Sequence, residues 1–213
     1  MDVLGRYLAL VKDTAERIDF LRGQGFVDTA LEAPPSLRTV HDAVAACTRC
    51  PLAAADRAGG RGAEGAALMI VGPAARAVDG GGTSRLGAEA EGLLDRIVAS
   101  MGLDGKALYV TSSVKCPPPD GRRAEEAEIS SCRVHVEEEV RAVRPAMVLL
   151  MGDEAAALVG SSVGELRGEV RLLAGVPAVA THDPETLLAR KELKKETWSD
   201  VQAVMAALGL RGR

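Results

Sequence analysis

Four cysteines are the residues whose spacing most clearly predicts chemistry. Cys47 and Cys50 form a Cys-x-x-Cys pair, while Cys116 and Cys132 come from distant segments. One turn of chain brings the first two thiolates to one metal centre, and two further thiolates complete four-coordinate ligation. Inert buried cysteines or a redox pair are the alternatives, although no strand leads into Cys47 as in a thioredoxin-like motif. The spacing predicts a metal site and leaves zinc and an iron–sulfur cluster both open.

Alternating strands and helices must position these cysteines. Short apolar runs predict buried strands over 67–71, 108–110, 147–151, 170–173 and 176–180. Helical patterns cover 40–46, 88–101, 123–142, 153–159 and 184–210. This alternation predicts an α/β fold with a mostly parallel sheet and helices on both faces. Ligands bind beyond the carboxyl ends of such strands, which are here Gly72, Thr111, Gly152 and Thr181.

The domain organisation follows from length and composition. The chain has 213 residues, of which 47% are apolar, enough for one well-buried core. An amphipathic helix is predicted over 3–24, and Pro34 and Pro35 follow it. We therefore expect an N-terminal helix and linker over 1–35 and one domain over 36–213.

Charge and hydropathy exclude some classes of function. The net charge is -4, so no global positive field predicts nucleic-acid binding. No apolar run approaches the ~20 residues of a membrane span, and the N-terminus lacks the apolar region of a signal peptide. We expect a cytoplasmic protein without a membrane partner, with its thiols reduced.

Several segments around the cysteines carry a resemblance to a known family. They are Cys47-Thr-Arg-Cys50-Pro-Leu, Met69-Ile-Val-Gly72, Leu93–Leu103, Val114-Lys-Cys-Pro-Pro118, Val143-Arg-Pro-Ala-Met-Val-Leu-Leu-Met-Gly152 and Leu166-Arg-Gly168. Over about residues 44–209 the chain resembles the family-4 uracil-DNA glycosylases. The resemblance implies a three-layer α/β/α sandwich, a role in DNA repair, and a [4Fe-4S] cluster on the four cysteines.

The substrate-binding motifs depart from the family at three positions. Pro73 follows Gly72 where the family has an acidic residue, and it can neither position a water nor accept a proton. Leu86 falls where the family has the phenylalanine that stacks on uracil. Ser112 replaces the asparagine that reads the uracil edge. The resemblance makes Gly72, Pro73, Leu86 and Ser112 the candidate substrate-binding residues.

The second motif departs at the family's catalytic histidine. Aligned on Pro184, Asp183 occupies the histidine position, and His182 sits one residue early. His182 and Asp183 are the candidate catalytic residues. A histidine stabilises negative charge on departing uracil, whereas an aspartate repels it.

These departures predict a uracil-DNA glycosylase-like iron–sulfur protein whose uracil excision is weak, altered in base specificity or lost. Whether it is an enzyme stays open. The alternative is a non-catalytic iron–sulfur module on the same fold that binds DNA or protein. A third possibility is a zinc-stabilised structural domain.

DNA contacts, if present, are predicted after the second motif. Leu187 and Leu188 occupy the place of the family's minor-groove wedge. A cluster of cations follows, comprising Arg190, Lys191, Lys194 and Lys195. Elsewhere, the run Glu137–Glu139 is predicted to be a solvated helix face.

Overall fold

The computed structural model describes residues 34–53, 56–78, 82–84, 86–103 and 107–210, together with Asp13 and Glu16. The chain divides into two compact units, Met1–Pro34 and Pro35–Arg213. In the first unit, the described residues are Asp13 and Glu16, which are helical, and Pro34; all three are exposed. The remainder of the helix predicted over 3–24 lies outside the described residues, so the predicted division of the chain after residue 35 stays a prediction.

The second unit alternates strands and helices. Its strands are β1 (Arg61–Gly62), β2 (Leu68–Gly72), β3 (Arg76–Ala77), β4 (Thr83–Ser84), β5 (Leu108–Ser112), β6 (Met147–Met151), β7 (Arg171–Leu173) and β8 (Val176–Thr181). Its α-helices are α1 (Leu37–Ala45), α2 (Ala88–Ser100), α3 (Glu126–Val143), α4 (Asp153–Ala156), α5 (Val163–Leu166), α6 (Pro184–Ala189) and α7 (Lys194–Ala207). Short 3-10 turns occupy Pro119–Gly121, Ala157–Val159 and Lys191–Leu193.

Six strands form one sheet in the order β1-β5-β2-β6-β8-β7. The four central strands run parallel, and only the two edge strands are antiparallel. The register pairs Gly72 with Ser112 and Met151 with Thr181, so the carboxyl ends of these strands meet at one edge. The predicted α/β fold with a mostly parallel sheet is confirmed.

Helices cover both faces of this sheet. Met69, Val71 and Leu150 belong to the same buried cluster as Val136 and Val140 of α3. The β2–β5 and β5–β6 connections run in opposite directions across the sheet, so right-handed crossovers place α2 and α3 on opposite faces. Helix α6 contacts α2 and shares its layer. The result is the three-layer sandwich that the resemblance implied.

The strand order creates a crevice between β2 and β6. The chain leaves β2 toward β5, while β6 lies on the other side of β2. Such a switch point opens a crevice beyond the carboxyl ends, where ligands of open α/β sheets bind. Gly152 turns the chain here with φ 90, and a Cβ on it would lie 2.9 Å from the Asp183 carboxylate. Glycine therefore lets β6 and β8 end close together.

The C-terminal helix is the main departure from the predicted elements. The pattern predicted one helix over 184–210, but Arg190 has φ -127 and ψ 85, outside the helical region. The chain instead forms α6, a 3-10 turn and α7. No described helix is both long and apolar enough to cross a bilayer.

Candidate functional site

The four cysteines line one small cavity, which the segment after the carboxyl end of β5 also lines. Cys47 and Cys50 follow α1 in a turn, while Cys116 lies four residues beyond β5 and Cys132 sits within α3. Three separate segments therefore supply thiols to one place. Cys116 and Cys132 are buried, and all four are free thiols.

The donor set of this cavity suits a metal centre. The Lys115 backbone N–H donates to Cys132 Sγ at 3.3 Å. The pKa of the Cys132 thiol is raised to about 11, chiefly by burial; the positive charge and N–H of Lys115 oppose this rise, and nearby Cys116 and Cys47 add to it. A metal must therefore displace a proton from this thiol on binding.

The cavity differs from a site built around one ion. Among the described residues, no three Cys, His, Asp or Glu side chains converge on a position for a single metal ion. Yet four thiols share the cavity, and Arg57 donates to the Cys47 carbonyl at 2.7 Å, which fixes the first loop. Four thiol side chains and one N–H donor to sulfur fit an iron–sulfur cluster, in which each iron takes its own cysteine ligand.

A buried ion pair connects the cysteines to the end of β5. Lys115 Nζ lies 2.6 Å from Glu139 Oε2, and their side chains are 2% and 0% exposed. The ammonium also donates to Thr111 Oγ1 at 2.5 Å and to the Ser112 carbonyl at 2.9 Å. Tyr109 donates to Glu139 at 3.2 Å. The prediction that Glu139 lies on a solvated face is therefore wrong, because the carboxylate has buried donors on β5.

A second region lies beyond β2, β6 and β8, at the switch point. A cavity of about 290 Å³ is lined by residues 74–77, 117–122 and Glu154. A neighbouring cavity of about 230 Å³ is lined by Pro73, Gly152, Glu154, Asp183 and others. The structure therefore brings Pro73 and Asp183 to one cavity, as the motif alignment requires.

Glu154 is the residue of this region that sequence reasoning missed. It lines both cavities, and its two carboxylate oxygens accept from Ala74 N at 2.9 Å and Ala124 N at 2.5 Å. The carboxylate therefore joins the loop after β2 to the loop before α3. The sequence signal for Glu154 is its position three residues after β6, since ligands of such sheets bind beyond the strand ends.

Three of the substrate-binding candidates lie close together at the ends of β2 and β5: Gly72, Leu86 and Ser112. Gly72 pairs with Ser112 in the sheet, and a Cβ on Gly72 would lie 3.9 Å from Leu86 Cδ2. Leu86 is buried. Ser112 is fully buried, and its hydroxyl has no hydrogen-bond partner among the described residues. The substrate-binding candidates are thus neighbours in space.

His182 and Asp183 point to different surroundings. Asp183 caps α6: its Oδ1 accepts from Thr186 N at 2.9 Å and its Oδ2 from Thr186 Oγ1 at 2.6 Å. His182 Nε2 instead lies 3.6 Å from Glu196 Oε2 on α7 and makes no hydrogen bond within the described chain. The structure places Asp183, and not His182, on the lining of the second cavity.

The predicted DNA-contacting residues divide by exposure. Leu187 is 2% exposed and belongs to the core, whereas Leu188 is half-buried. The four cations of the cluster, Arg190, Lys191, Lys194 and Lys195, are all exposed. The accessible part of the predicted face is therefore Leu188 and the cations.

Comparisons with known proteins agree with this architecture. The family model of the Uracil DNA glycosylase superfamily matches residues 60–202. A Type-4 uracil-DNA glycosylase of Archaeoglobus fulgidus is 27% identical over 183 residues, which cover 79% of this chain and 92% of the relative. A Type-4 enzyme of Pyrobaculum aerophilum is 26% identical, over 78% of this chain and 91% of its own. A Type-5 uracil-DNA glycosylase of that organism is 34% identical over 50% of this chain and 49% of its own.

Proposed function

The chain belongs to the uracil DNA glycosylase superfamily, and on that basis we propose that it is a [4Fe-4S] protein of DNA repair whose uracil excision is weak, redirected to another base, or lost. Cys47, Cys50, Cys116 and Cys132 would hold the cluster. The shared cavity and its N–H donor support this assignment. When bound, the cluster supplies a structural tie between the turn after α1, the segment after β5, and α3.

The capping role of Asp183 is the observation that carries the proposal. Both carboxylate oxygens accept from Thr186, so the side chain is held as a helix cap beside the second cavity. An anion fixed here repels the negative charge that develops on a departing uracil. Asp183 therefore stabilises α6 at the position where the resemblance expects a hydrogen-bond donor to the departing base.

The remaining substitutions weaken base recognition. Leu86 packs beside Gly72 and offers an aliphatic contact in place of an aromatic ring, which lowers base stacking by about 1–3 kcal/mol. Ser112 offers one hydroxyl where an amide gives both a donor and an acceptor, so a polar group of uracil is left without a partner. Pro73 has no group with which to orient a water.

The non-catalytic alternative has its own supporting observation. Arg76 and Glu185 form a bidentate ion pair, with Nε donating to Oε1 at 3.0 Å, and both side chains line the second cavity. The pair joins β3 to α6 at the second cavity. Such a contact restricts entry of an extruded base and suits a module that binds without excising.

DNA binding is proposed through Leu188, Arg190, Lys191, Lys194 and Lys195. The exposure of the cations supports phosphate contacts without base selection. Changing Lys194 and Lys195 together to Glu should weaken binding alike on all sequences and flatten its dependence on salt. An unchanged slope in a salt titration would place the DNA elsewhere.

Single-turnover excision, with enzyme in excess, tests the proposal. Uracil is placed in single-stranded DNA and in mismatched duplexes, beside a panel of other deaminated bases, and a Type-4 uracil-DNA glycosylase is assayed in parallel. We expect slow or absent uracil release; release of another base supports redirected specificity, and binding without release supports the module. A uracil rate equal to that of the Type-4 enzyme contradicts the proposal. A slow rate abolished by His182→Ala, but not by Ser199→Ala, assigns catalysis to His182.

A further inference from the structure

The only tryptophan of the chain lies exposed on α7. Trp198 is 39% exposed, and in the described part of the chain the other large exposed apolar side chains are Val78 and Leu172. Trp198 borders the apolar side of α7, since the buried residues Val201 and Met205 follow it by three and seven positions. The exposed part of the indole is free to stack on a flat partner such as a base.

Two lysines flank this indole by helix geometry. Lys194 and Lys195 precede Trp198 by four and three residues, so both neighbour it on the helix surface. Gln202 follows at the next turn and is also exposed. The outside of α7 therefore presents the ring of Trp198 next to two cations, with the polar side chain of Gln202 one turn further on.

The cations of this surface lack carboxylate partners, unlike several arginines elsewhere in the described part of the chain. Ion pairs neutralise the arginines in Arg61–Asp95, Arg76–Glu185, Arg122–Glu128, Arg133–Glu137, Arg141–Glu138, Arg167–Asp200 and Arg171–Glu169. Within the residues that the structure describes, Arg190, Lys191, Lys194 and Lys195 form no ion pair. The nearby Glu196 carboxylate is engaged by Arg167 at 2.5 Å. Glu192 is also exposed among these residues, but the four cations outnumber it, so the surface is locally positive on an acidic chain.

We infer that α7 carries a single-stranded DNA surface, in which an unpaired base stacks on Trp198 and the adjoining phosphates contact Lys194 and Lys195. Single strands expose the base faces that a duplex hides, and an aromatic side chain among cations is the usual platform for them. A lipid surface fits less well, because membrane-bound helices expose a wide apolar face rather than one ring. The inference extends the proposed DNA binding by assigning the strand form.

Intrinsic fluorescence gives a direct test, since Trp198 is the only indole. The full-length protein is titrated with an undamaged oligothymidylate and, in parallel, with a duplex of equal length. We expect strong quenching by the single strand and little by the duplex. Labelled-oligonucleotide anisotropy should show that Trp198→Leu weakens single-strand affinity about 10-fold, that Trp198→Phe retains most of it, and that duplex affinity hardly changes.

Two matched variants separate stacking from general surface effects. Leu172→Ala shortens an exposed apolar side chain on β7, and Arg141→Gln removes an ion-paired cation; both should bind like the unmodified protein. Lys194→Gln with Lys195→Gln should lower the salt slope on single strands by about 0.7 per lysine. Equal binding of single-stranded RNA supports a stacking platform shared by both nucleic acids.

Several results would overturn the inference. These are absence of quenching by the single strand, an equal loss of duplex and single-strand affinity in Trp198→Leu, tighter binding of RNA than of DNA, or quenching by anionic vesicles alone. The oligonucleotide carries no damaged base and no excision is scored, so failure of this surface and failure of the proposed glycosylase chemistry are separate results.

Discussion

The cysteine cavity and the strand-end cavities depend on the same strand but carry different chemistry. Strand β5 ends at Ser112, beside the crevice, and four residues later delivers Cys116 to the cysteines. At the cysteines, every side chain that the resemblance requires as a ligand is present. At the crevice, Leu86 packs against Gly72 and Asp183 caps α6.

This difference shows how one scaffold can separate stability from chemistry. The cysteine region contains thiols and a buried ion pair, whose removal leaves the interior unsatisfied. On the proposal above, the crevice carries groups that pack or cap at the positions where the resemblance expects groups that act on a base. The fold needs only packing and capping from these positions, so we expect it to tolerate the exchange and uracil excision to suffer from it.

The largest expected effect lies at the cysteines. Cys116→Ser should lose the cluster and most of the soluble protein, because metal binding is coupled to folding. The loss is measured in anaerobically purified protein by iron and sulfide content, by an absorption shoulder at ~400 nm and by thermal melting. Ser131→Ala, on the lining of the same cavity, should keep all three. Full cluster content and unchanged melting in the serine variant would remove Cys116 from the ligand set.

The next effect concerns the ion pair that joins the two regions. Lys115→Met leaves Glu139 buried without its cation and should destabilise the fold by about 3–5 kcal/mol. The double variant Lys115→Met with Glu139→Leu should recover much of that loss, since an apolar pair leaves no charge unpaired. Urea unfolding of the cluster-loaded proteins gives the values. Equal stability of the single variant and the unmodified protein would show that the pair contributes little.

The crevice is tested by returning a donor to position 183. Asp183→His should raise uracil release by about 10-fold in single-turnover assays, because an oxyanion donor replaces a repelling charge. It should also lose about 1 kcal/mol of helix capping. Asp183→Asn keeps a capping side chain without the charge. We expect a smaller rise in the rate of uracil release from it, which measures the effect of removing the charge repulsion alone. If neither variant changes the rate, position 183 does not limit excision.

Much of the fold was predictable because its signals are local. Apolar runs located the five longer strands to within two residues, and β6 was predicted with its bounds. The strands β1, β3 and β4 have only two residues each, too few for a periodic pattern. Arg190 breaks the last helix without proline or glycine, so its backbone angles have no sequence signal.

The site was less predictable because its contacts join distant segments. Glu139 belongs to three consecutive glutamates and is typical of a solvated face until Lys115, 24 residues away, is placed beside it. Glu154 has a weak sequence signal in its place after β6, but its role depends on the loops containing Ala74 and Ala124, which meet at its carboxylate. The cysteines were predictable because ligand spacing is itself a sequence signal.

The smallest effect concerns the loop between the two regions. The chain from Cys116 to α3 borders the first cavity, and Arg122 anchors it by donating to Glu128 at 2.9 and 2.6 Å. Hydrogen bonds from Arg122, then from the Glu125 N–H, hold the pKa of the Glu128 carboxyl below its usual value despite its burial. The lowered pKa means that ionised Glu128 stabilises the folded state. This contribution is fully present above the unfolded pKa of about 4.3 and is lost as the pH falls through the lower folded value.

Glu128→Gln should therefore lower the melting temperature slightly at neutral pH, by less than about 2 °C because Arg122 is partly exposed. The difference from the unmodified protein should shrink as the pH falls below about 4 and disappear once Glu128 is protonated in both states. Thermal melts across that range measure it, with Glu126→Gln as the control on the same turn. A difference that stays constant with pH would assign the effect to lost packing. In that case the loop that joins the cysteines to the crevice would be held by shape and not by charge.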